Sequence, residues 1–139
     1  MDNTYIHSMR EHLFELKSEL QGLTNIIEQR DLNRYEYRAS ERTLQVLIEA
    51  CIGIAKHWCY GLSQVAPADA YSAFEKLSQL GIESVNEVEW RKVIGMRNAL
   101  VHDYLNTEPE IIRALIKKST YLTLFVFTDN GLTALEKLN

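Results

Sequence analysis

The sequence predicts an all-α fold, a single domain over residues 1–139 built as a bundle of four to five helices. Apolar residues return at intervals of three and four positions along most of the chain, which is the period of an amphipathic helix. Only two prolines and six glycines interrupt that pattern. Hydrophobic residues at 46% and charged residues at 24% are typical of a globular protein with a buried core, and no repeat or linker divides the chain.

The first two helices are the longest that the pattern predicts. The first covers residues 4–29, and its apolar stripe consists of Ile6, Met9, Leu13, Leu16, Leu20, Leu23 and Ile27. His7 and His12 stand among charged neighbours and are expected to face solvent. The second helix begins after the break at 31–33 and extends to about Tyr60. Apolar residues cover most of its circumference, so we expect it to lie at the centre of the bundle.

Capping signals predict the third and fourth helices. The third covers residues 68–80, with Pro67 suited to its first turn and Gly81 at its end. Ser84 followed by Glu87 has the spacing of a capping box, which predicts the start of the fourth helix.

The fifth helix is predicted from about residue 108 through the apolar run that ends near residue 128. Thr107 with Glu110, and Pro109 between them, repeats the capping pattern at its start. The segment 121–128 is rich in β-branched and aromatic residues, so a strand is the alternative, but no second such segment is present to pair with it. The triplet at 129–131, Asp-Asn-Gly, predicts the end of this helix, before a short tail.

The cysteines and the N-terminal residues indicate which cellular compartment to expect for the protein. Cys51 and Cys59 lie eight positions apart on one helix, about 12 Å along its axis, too far for an undistorted disulfide. We expect two buried free thiols and no metal site, because no CxxC pair occurs and His57 is the only imidazole nearby. The first residues are polar and acidic, and no apolar run approaches a membrane span, so a cytoplasmic protein with no membrane partner and no cofactor is expected.

One polar cluster interrupts the apolar pattern near residue 100. It is Arg97-Asn98-Ala99-Leu100-Val101-His102-Asp103-Tyr104. Asn98 and His102 share a helical face, whereas Arg97 and His102, five positions apart, diverge by about 140° on a regular helix. Either the helix loosens in its last turn near Val101, or two copies related by a two-fold axis contribute to one site.

This spacing of arginine, histidine and tyrosine, with Asn98 directly after Arg97, resembles the signature of HEPN domains, in particular the HepT-like toxins of two-gene toxin–antitoxin systems. Residues 41–50 look like the central helix of that family, and residues 74–82 look like its third helix and turn. The resemblance covers most of the chain. It implies a HEPN-type helical bundle that assembles as a two-fold homodimer.

The resemblance also implies an activity, metal-independent cleavage of RNA to a 2′,3′-cyclic phosphate and a 5′-hydroxyl. Because RNA carries its own nucleophile, the enzyme needs a proton carrier and a cation. His102 suits the first role as acid or base, and Arg97 suits the second by binding the scissile phosphate. Asn98 is expected to orient the phosphate or the imidazole. Tyr104 is expected to position substrate, and Asp103 is a weaker candidate for orienting His102.

The start of the second helix combines basic and aromatic residues. It contains Arg34, Tyr35, Tyr37, Arg38 and Arg42. Such a mixture can hold phosphates and stack bases, which makes Arg38 and Arg42 candidate substrate-binding residues; the alternative is a solvated charged face. The net charge of −4 counts against avid RNA binding. A dimer can still focus basic residues around one cleft, namely Arg34, Arg38, Arg97, Arg113 and Lys117.

The family resemblance implies a protein partner, a nucleotidyltransferase antitoxin of the MNT type that adenylylates Tyr104, as in type VII toxin–antitoxin systems. Two other functions stay open: a non-catalytic HEPN module that binds nucleotide or substrate for the nucleotidyltransferase, and a helical dimerisation scaffold without a ligand. The presence of both Arg97 and His102 disfavours the binding module, which needs no acid–base residue. The alternative for the residues themselves is structural: His102 and Arg97 complement the dipole at a helix end, and Tyr104 is a residue at the edge of the core.

Overall fold

A computed structural model describes residues 3–102 and 107–138. These residues form six α-helices and one short 3-10 helix, with no strand among them, which confirms the all-α prediction. In chain order the elements are α1 (Asn3–Gln29), α2 (Arg34–Ser63), α3 (Ala70–Gln79), the 3-10 helix (Glu83–Glu87), α4 (Trp90–His102), α5 (Pro109–Lys117) and α6 (Leu122–Lys137).

The boundary between α1 and α2 is set by a reciprocal cap. The Asn33 side chain accepts a hydrogen bond from the backbone N–H of Glu36 at 2.8 Å, and the Glu36 carboxylate accepts one from the backbone N–H of Asn33 at 2.8 Å. Arg30 adds two hydrogen bonds to the same carboxylate. This arrangement satisfies donors that a helix start otherwise leaves open, and so fixes α2 at Arg34.

Helix α2 is the central element, as predicted, and packs against each of the other five α-helices. Its side chains Leu47, Cys51, Ile54 and Cys59 are fully buried. Both cysteines are free thiols, as expected from their spacing. On α1 the predicted apolar stripe faces this core, whereas His7 and His12 face solvent.

The predicted starts of the third and fourth helices are wrong. Asp69 caps α3 by accepting a hydrogen bond from the backbone N–H of Ser72, so Pro67 precedes the helix and is not in its first turn. The Ser84 and Glu87 pair lies inside the 3-10 helix and forms no side-chain cap. Gly81, at φ +94°, does end α3 as predicted, because its left-handed backbone suits glycine.

An aromatic cluster anchors the N-terminal end of α4. Trp90 stacks on Phe74 with ring centroids 3.8 Å apart and meets Phe127 edge-on at 4.8 Å. Its indole N–H donates to the carbonyl of Val85 at 2.8 Å. These contacts fix the start of α4, twelve residues before His102.

The predicted fifth helix is two helices, α5 and α6, separated by residues 118–121. Ser119 adopts a left-handed φ of 55° at the break, and Tyr121 is buried there with its hydroxyl 2.6 Å from that of Thr24. The helical prediction for the apolar segment is confirmed, but the predicted stop at 129–131 is wrong because α6 continues to Lys137. Gly131 serves packing: a Cβ at this position would lie 2.5 Å from Ile54 Cγ2.

None of the helices in the described part of the chain has both the length and the apolar character needed to cross a membrane.

Candidate active site

Helix α4 carries the polar cluster and stays regular through its last residue, His102. Of the two alternatives, a loosening of the helix near Val101 is not found up to His102, and the rest of the predicted last turn lies outside the described residues. Arg97 and His102 leave the axis about 140° apart, and within one chain the helix does not direct them to a common point. Asn98 and His102 share one face and are both exposed, as predicted. Asp103 and Tyr104 lie outside the described residues.

Arg97 occupies the other side of α4 and is half-buried. Its Nε–H is fully buried and has no hydrogen-bond partner among the described residues, and the guanidinium forms no ion pair with any of them. A buried donor without an acceptor carries a free-energy cost. The guanidinium, unlike those of Arg38 and Arg113, is therefore not neutralised by a carboxylate of the described residues.

A second polar surface lies where the start of α2 meets the start of α5. It is an open groove of about 560 Å³, and we call it the basic groove. It begins five residues after His102, at Thr107. Its lining residues are Arg34, Tyr37, Arg38, Glu41, Thr107, Pro109 and Arg113. The groove and the polar cluster are thus close in sequence, and none of Arg97, Asn98 and His102 lines the groove.

Interactions within the basic groove hold two of its three guanidinium groups in place. Arg113 lies 4.8 Å above the ring of Tyr37, and its Nε donates to Asp31 at 3.0 Å. Arg38 forms an ion pair with Glu41 at 3.1 Å. Burial, together with Glu41, raises the pKa of Tyr37 to about 12, so its phenol is neutral at physiological pH. Such pre-ordered donors suit phosphate oxygens.

The remaining cation of the groove, Arg34, pairs with no carboxylate in the described part of the chain. The groove brings together three of the five basic residues predicted to share a cleft, and a single chain suffices for it. Arg97 and Lys117 do not line it. Arg38 lies in the groove, whereas Arg42 lies one helical turn further along α2, exposed.

Thr107 lies in a different environment from the one that the sequence predicts. It was predicted to cap the helix at 109, but α5 begins after Glu108 without a side-chain cap, and Pro109 occupies the first turn as predicted. The Thr107 hydroxyl is buried in the basic groove with no hydrogen-bond partner among the described residues. Only its position five residues after His102 could have pointed to it.

Comparison with known families identifies the chain. A family model described as Ribonuclease HepT-like matches residues 9–128. The chain belongs to the HepT-like ribonuclease family. No curated protein and no solved structure matches it significantly. Membership of the HepT-like family confirms the resemblance read from the sequence, and it supports a HEPN-type fold and ribonuclease activity in general.

The family match covers every residue of the candidate site. It spans Arg97, Asn98 and His102 on α4 and the whole of the basic groove, from Arg34 to Arg113. Both the polar cluster on α4 and the basic groove therefore lie within the residues that the family model matches.

Proposed function

We propose that this HepT-like protein is a metal-independent RNA endonuclease and the toxin of a type VII toxin–antitoxin system. The active site forms between two copies, with His102 and Asn98 of one copy and Arg97 of the other around one phosphodiester. The observation that carries the proposal is the regular geometry of α4. It turns an exposed histidine and an unpartnered arginine to different sides, so that a second copy is needed to combine them.

The chemistry follows from the groups that the substrate and the protein supply. The 2′-hydroxyl loses its proton to a base, its oxygen attacks the adjacent phosphorus, and the bond from phosphorus to the 5′-oxygen breaks. That oxygen leaves as a hydroxyl after gaining a proton, and the other product is a 2′,3′-cyclic phosphate. His102 takes or gives a proton, and Arg97 stabilises the charge that develops on the phosphorane. Asn98 orients the phosphate or the imidazole.

The basic groove supports the choice of RNA as substrate. Arg34, Arg38 and Arg113 can bind phosphates on one side of the scissile bond, and Arg42 extends the same basic face by one turn. The net charge of the chain is −4, so these local cations must supply the attraction that the protein as a whole does not.

Inhibition is proposed to come from a nucleotidyltransferase antitoxin that forms a hetero-oligomer with the HepT-like protein. It transfers AMP from ATP to the hydroxyl of Tyr104, and pyrophosphate leaves. The adenylate adds bulk and negative charge where substrate phosphate must bind, which opposes RNA binding.

The direct test is cleavage of RNA by purified protein in the presence of EDTA. His102→Ala should reduce the rate by about 10²-fold or more, because the proton transfer loses its carrier. His12→Ala, which removes an exposed histidine from α1, is the matched control and should cut at the wild-type rate. Equal rates for His102→Ala and wild type would contradict the proposal. RNA binding without any cleavage would favour the non-catalytic binding module instead.

Adenylylation is tested by the intact mass of protein that is co-expressed with its neighbouring nucleotidyltransferase. The mass should rise by one or more AMP units and the increment should disappear in Tyr104→Phe. Tyr35→Phe is the control: Tyr35 is 82% exposed, so an unspecific enzyme would modify it, and a specific one should leave the increment unchanged in this variant. An inhibited complex of unmodified mass would show that the antitoxin blocks the site sterically.

A further inference from the structure

The exposed face of α4 extends well beyond the family motif. Arg91, Gly95, Asn98 and His102 follow one another at intervals of four, three and four residues, so their Cα–Cβ directions fall within about 60° around the helix. All four positions are exposed. We call this line of residues the α4 stripe. It extends from His102 at one end of the helix to Arg91 about 16 Å away along the axis.

Arg91, at the far end of the α4 stripe, has a guanidinium of restricted orientation. Its guanidinium lies 4.1 Å above the ring of Tyr71, which restricts its orientation. It forms no ion pair with the residues that the structure describes. The neighbouring Glu89 pairs with Lys92 at 3.3 Å, and Lys92 leaves the helix about 100° away from Arg91.

Gly95, in the middle of the stripe, has no explanation within the chain. Glycine weakens a helix interior relative to alanine, because it loses more conformational freedom on folding. A Cβ built at Gly95 would meet no atom of the described structure within 4 Å, so packing inside the chain does not require glycine here. The absence of a side chain instead lets a molecule from outside approach the helix backbone closely.

We propose that the α4 stripe is a track for single-stranded RNA. Arg91 binds a phosphate several nucleotides away from the scissile bond, and Gly95 lets the sugar–phosphate backbone lie against the helix on its way to Asn98 and His102. This inference rests on the proposed nuclease function and extends its binding site by residues outside the motif. The stripe has no apolar side chain, and Arg91 at its far end is a cation without an ion-pair partner in the described part of the chain, which favours an anionic ligand such as RNA over a second α4 packed along its length.

The test measures binding of a single-stranded oligonucleotide of about eight nucleotides whose riboses are 2′-O-methylated, so that it has no nucleophile and cannot be cut. Fluorescence anisotropy at several salt concentrations gives the affinity and its salt dependence. Arg91→Ala should bind about fivefold more weakly at low salt, and the slope of log K against log salt should fall in magnitude by about 0.7, the value for one phosphate contact on a single strand.

Two further variants make the test specific. Lys92→Ala removes a neighbouring cation that points away from the stripe, so its affinity and its salt slope should equal those of the wild type. Gly95→Ala should raise Tm by about 2–4 °C, because alanine favours the helix and meets no obstacle, and should still weaken RNA binding. More stability with less binding cannot be explained by damage to the fold.

The outcomes separate this inference from the nuclease proposal. Wild-type affinity in Arg91→Ala, or an equal loss in Lys92→Ala, overturns the track even if the protein cuts RNA. Binding that depends on Arg91 and Gly95 in a protein that cuts no RNA supports the track and overturns the nuclease. If sedimentation shows that Gly95→Ala changes the oligomeric state while RNA binding is unchanged, the stripe is a contact between copies and the track is overturned.

Discussion

Arg97 and Thr107 stand out at the level of single residues, because each has a buried polar atom without a partner among the described residues. Arg97 lies in the second half of α4, and Thr107 precedes α5. Proteins satisfy most buried polar groups, so each of these atoms calls for an acceptor or donor that the described residues do not supply. Arg97 belongs to the sequence motif, whereas Thr107 does not.

Glu36 gives a prediction about pH at the same scale. Its hydrogen bond with Arg30, and then that with the backbone of Asn33, lowers its pKa to about 2. A lowered pKa means that the folded state prefers the ionised carboxylate, so the stabilisation is complete above the unfolded pKa of about 4.5 and is lost as the pH falls towards 2. Glu36→Gln keeps a capping side chain but removes the charge.

We therefore expect the Tm of Glu36→Gln to lie below that of the wild type at about pH 5, and the difference to shrink as the pH is lowered to about 2. Glu28→Gln is the control, since Glu28 is exposed and makes no ion pair in the described part of the chain. It should show no such trend. A difference in Tm between Glu36→Gln and wild type that is constant over this pH range would show that Glu36 acts through packing and not through its charge.

The sequence predicts some elements better than others, for a physical reason. Helices α1 and α2 have polar and apolar faces, so their period is visible, and their boundaries follow from a break in that period. Residues 122–127 are almost entirely apolar and show no helical period, so the sequence pattern predicts that they continue α5 across the polar residues 117–120. At the break Tyr121 is buried with its hydroxyl against that of Thr24 of α1, a tertiary contact that local sequence does not encode.

Gly131 shows how a tertiary contact overrides a local signal. The Asp-Asn-Gly triplet predicts a turn, but in α6 the glycine faces α2, where a Cβ would lie 2.5 Å from Ile54 Cγ2 and 3.3 Å from Trp58 Cε3. Ile54 and Trp58 are both buried and cannot move aside freely. Gly131→Ala should therefore destabilise the protein by about 1–3 kcal/mol, through overpacking that exceeds any gain in helix propensity.

The matched control for this prediction is Gly22→Ala on α1. A Cβ at Gly22 meets nothing within 4 Å in the described structure, so alanine should stabilise the protein by up to about 1 kcal/mol. Chemical denaturation of both variants measures the free energy of unfolding. Stabilisation by Gly131→Ala would show that α6 can shift away from α2, and would refute the close packing of the two helices at this point.

The sequence predicts the part of the candidate site that lies on one helix, and does not predict the part that combines residues from different helices. Arg97, Asn98 and His102 follow from one motif on one helix. The basic groove joins Arg38 on α2 to Arg113 on α5, residues brought together only by the packing of the bundle. The spacing of Arg91 and Gly95 relative to His102 was present in the sequence, but it became informative only when the structure showed which face of α4 is exposed.

At the scale of the whole molecule, one chain leaves α4 incompletely covered. Among its apolar residues, Trp90 is fully buried, whereas Val93, Ile94, Met96 and Leu100 are only partly buried. These four side chains pack against the chain's own core, so a second copy would meet α4 along the edge of this side, and would place its own polar cluster next to that of the first. A composite site then contains His102 from one copy and Arg97 from the other.

Mixed dimers test whether the site is composite. Arg97→Ala and His102→Ala should each be inactive alone. In a dimer of the two variants, one site has lost both residues, and the other combines wild-type Arg97 of one chain with wild-type His102 of the other. An equimolar mixture, unfolded and refolded together, should therefore regain about a quarter of the wild-type rate, because half of the dimers are mixed and each has one intact site.

A mixture of His102→Ala with Asn98→Ala is the control. Both residues come from the same chain in each site, so no mixed dimer contains an intact site, and the mixture should stay inactive. If the Arg97→Ala and His102→Ala mixture also stays inactive, although sedimentation shows mixed dimers, then each chain supplies both groups to its own site and α4 must bend on binding RNA.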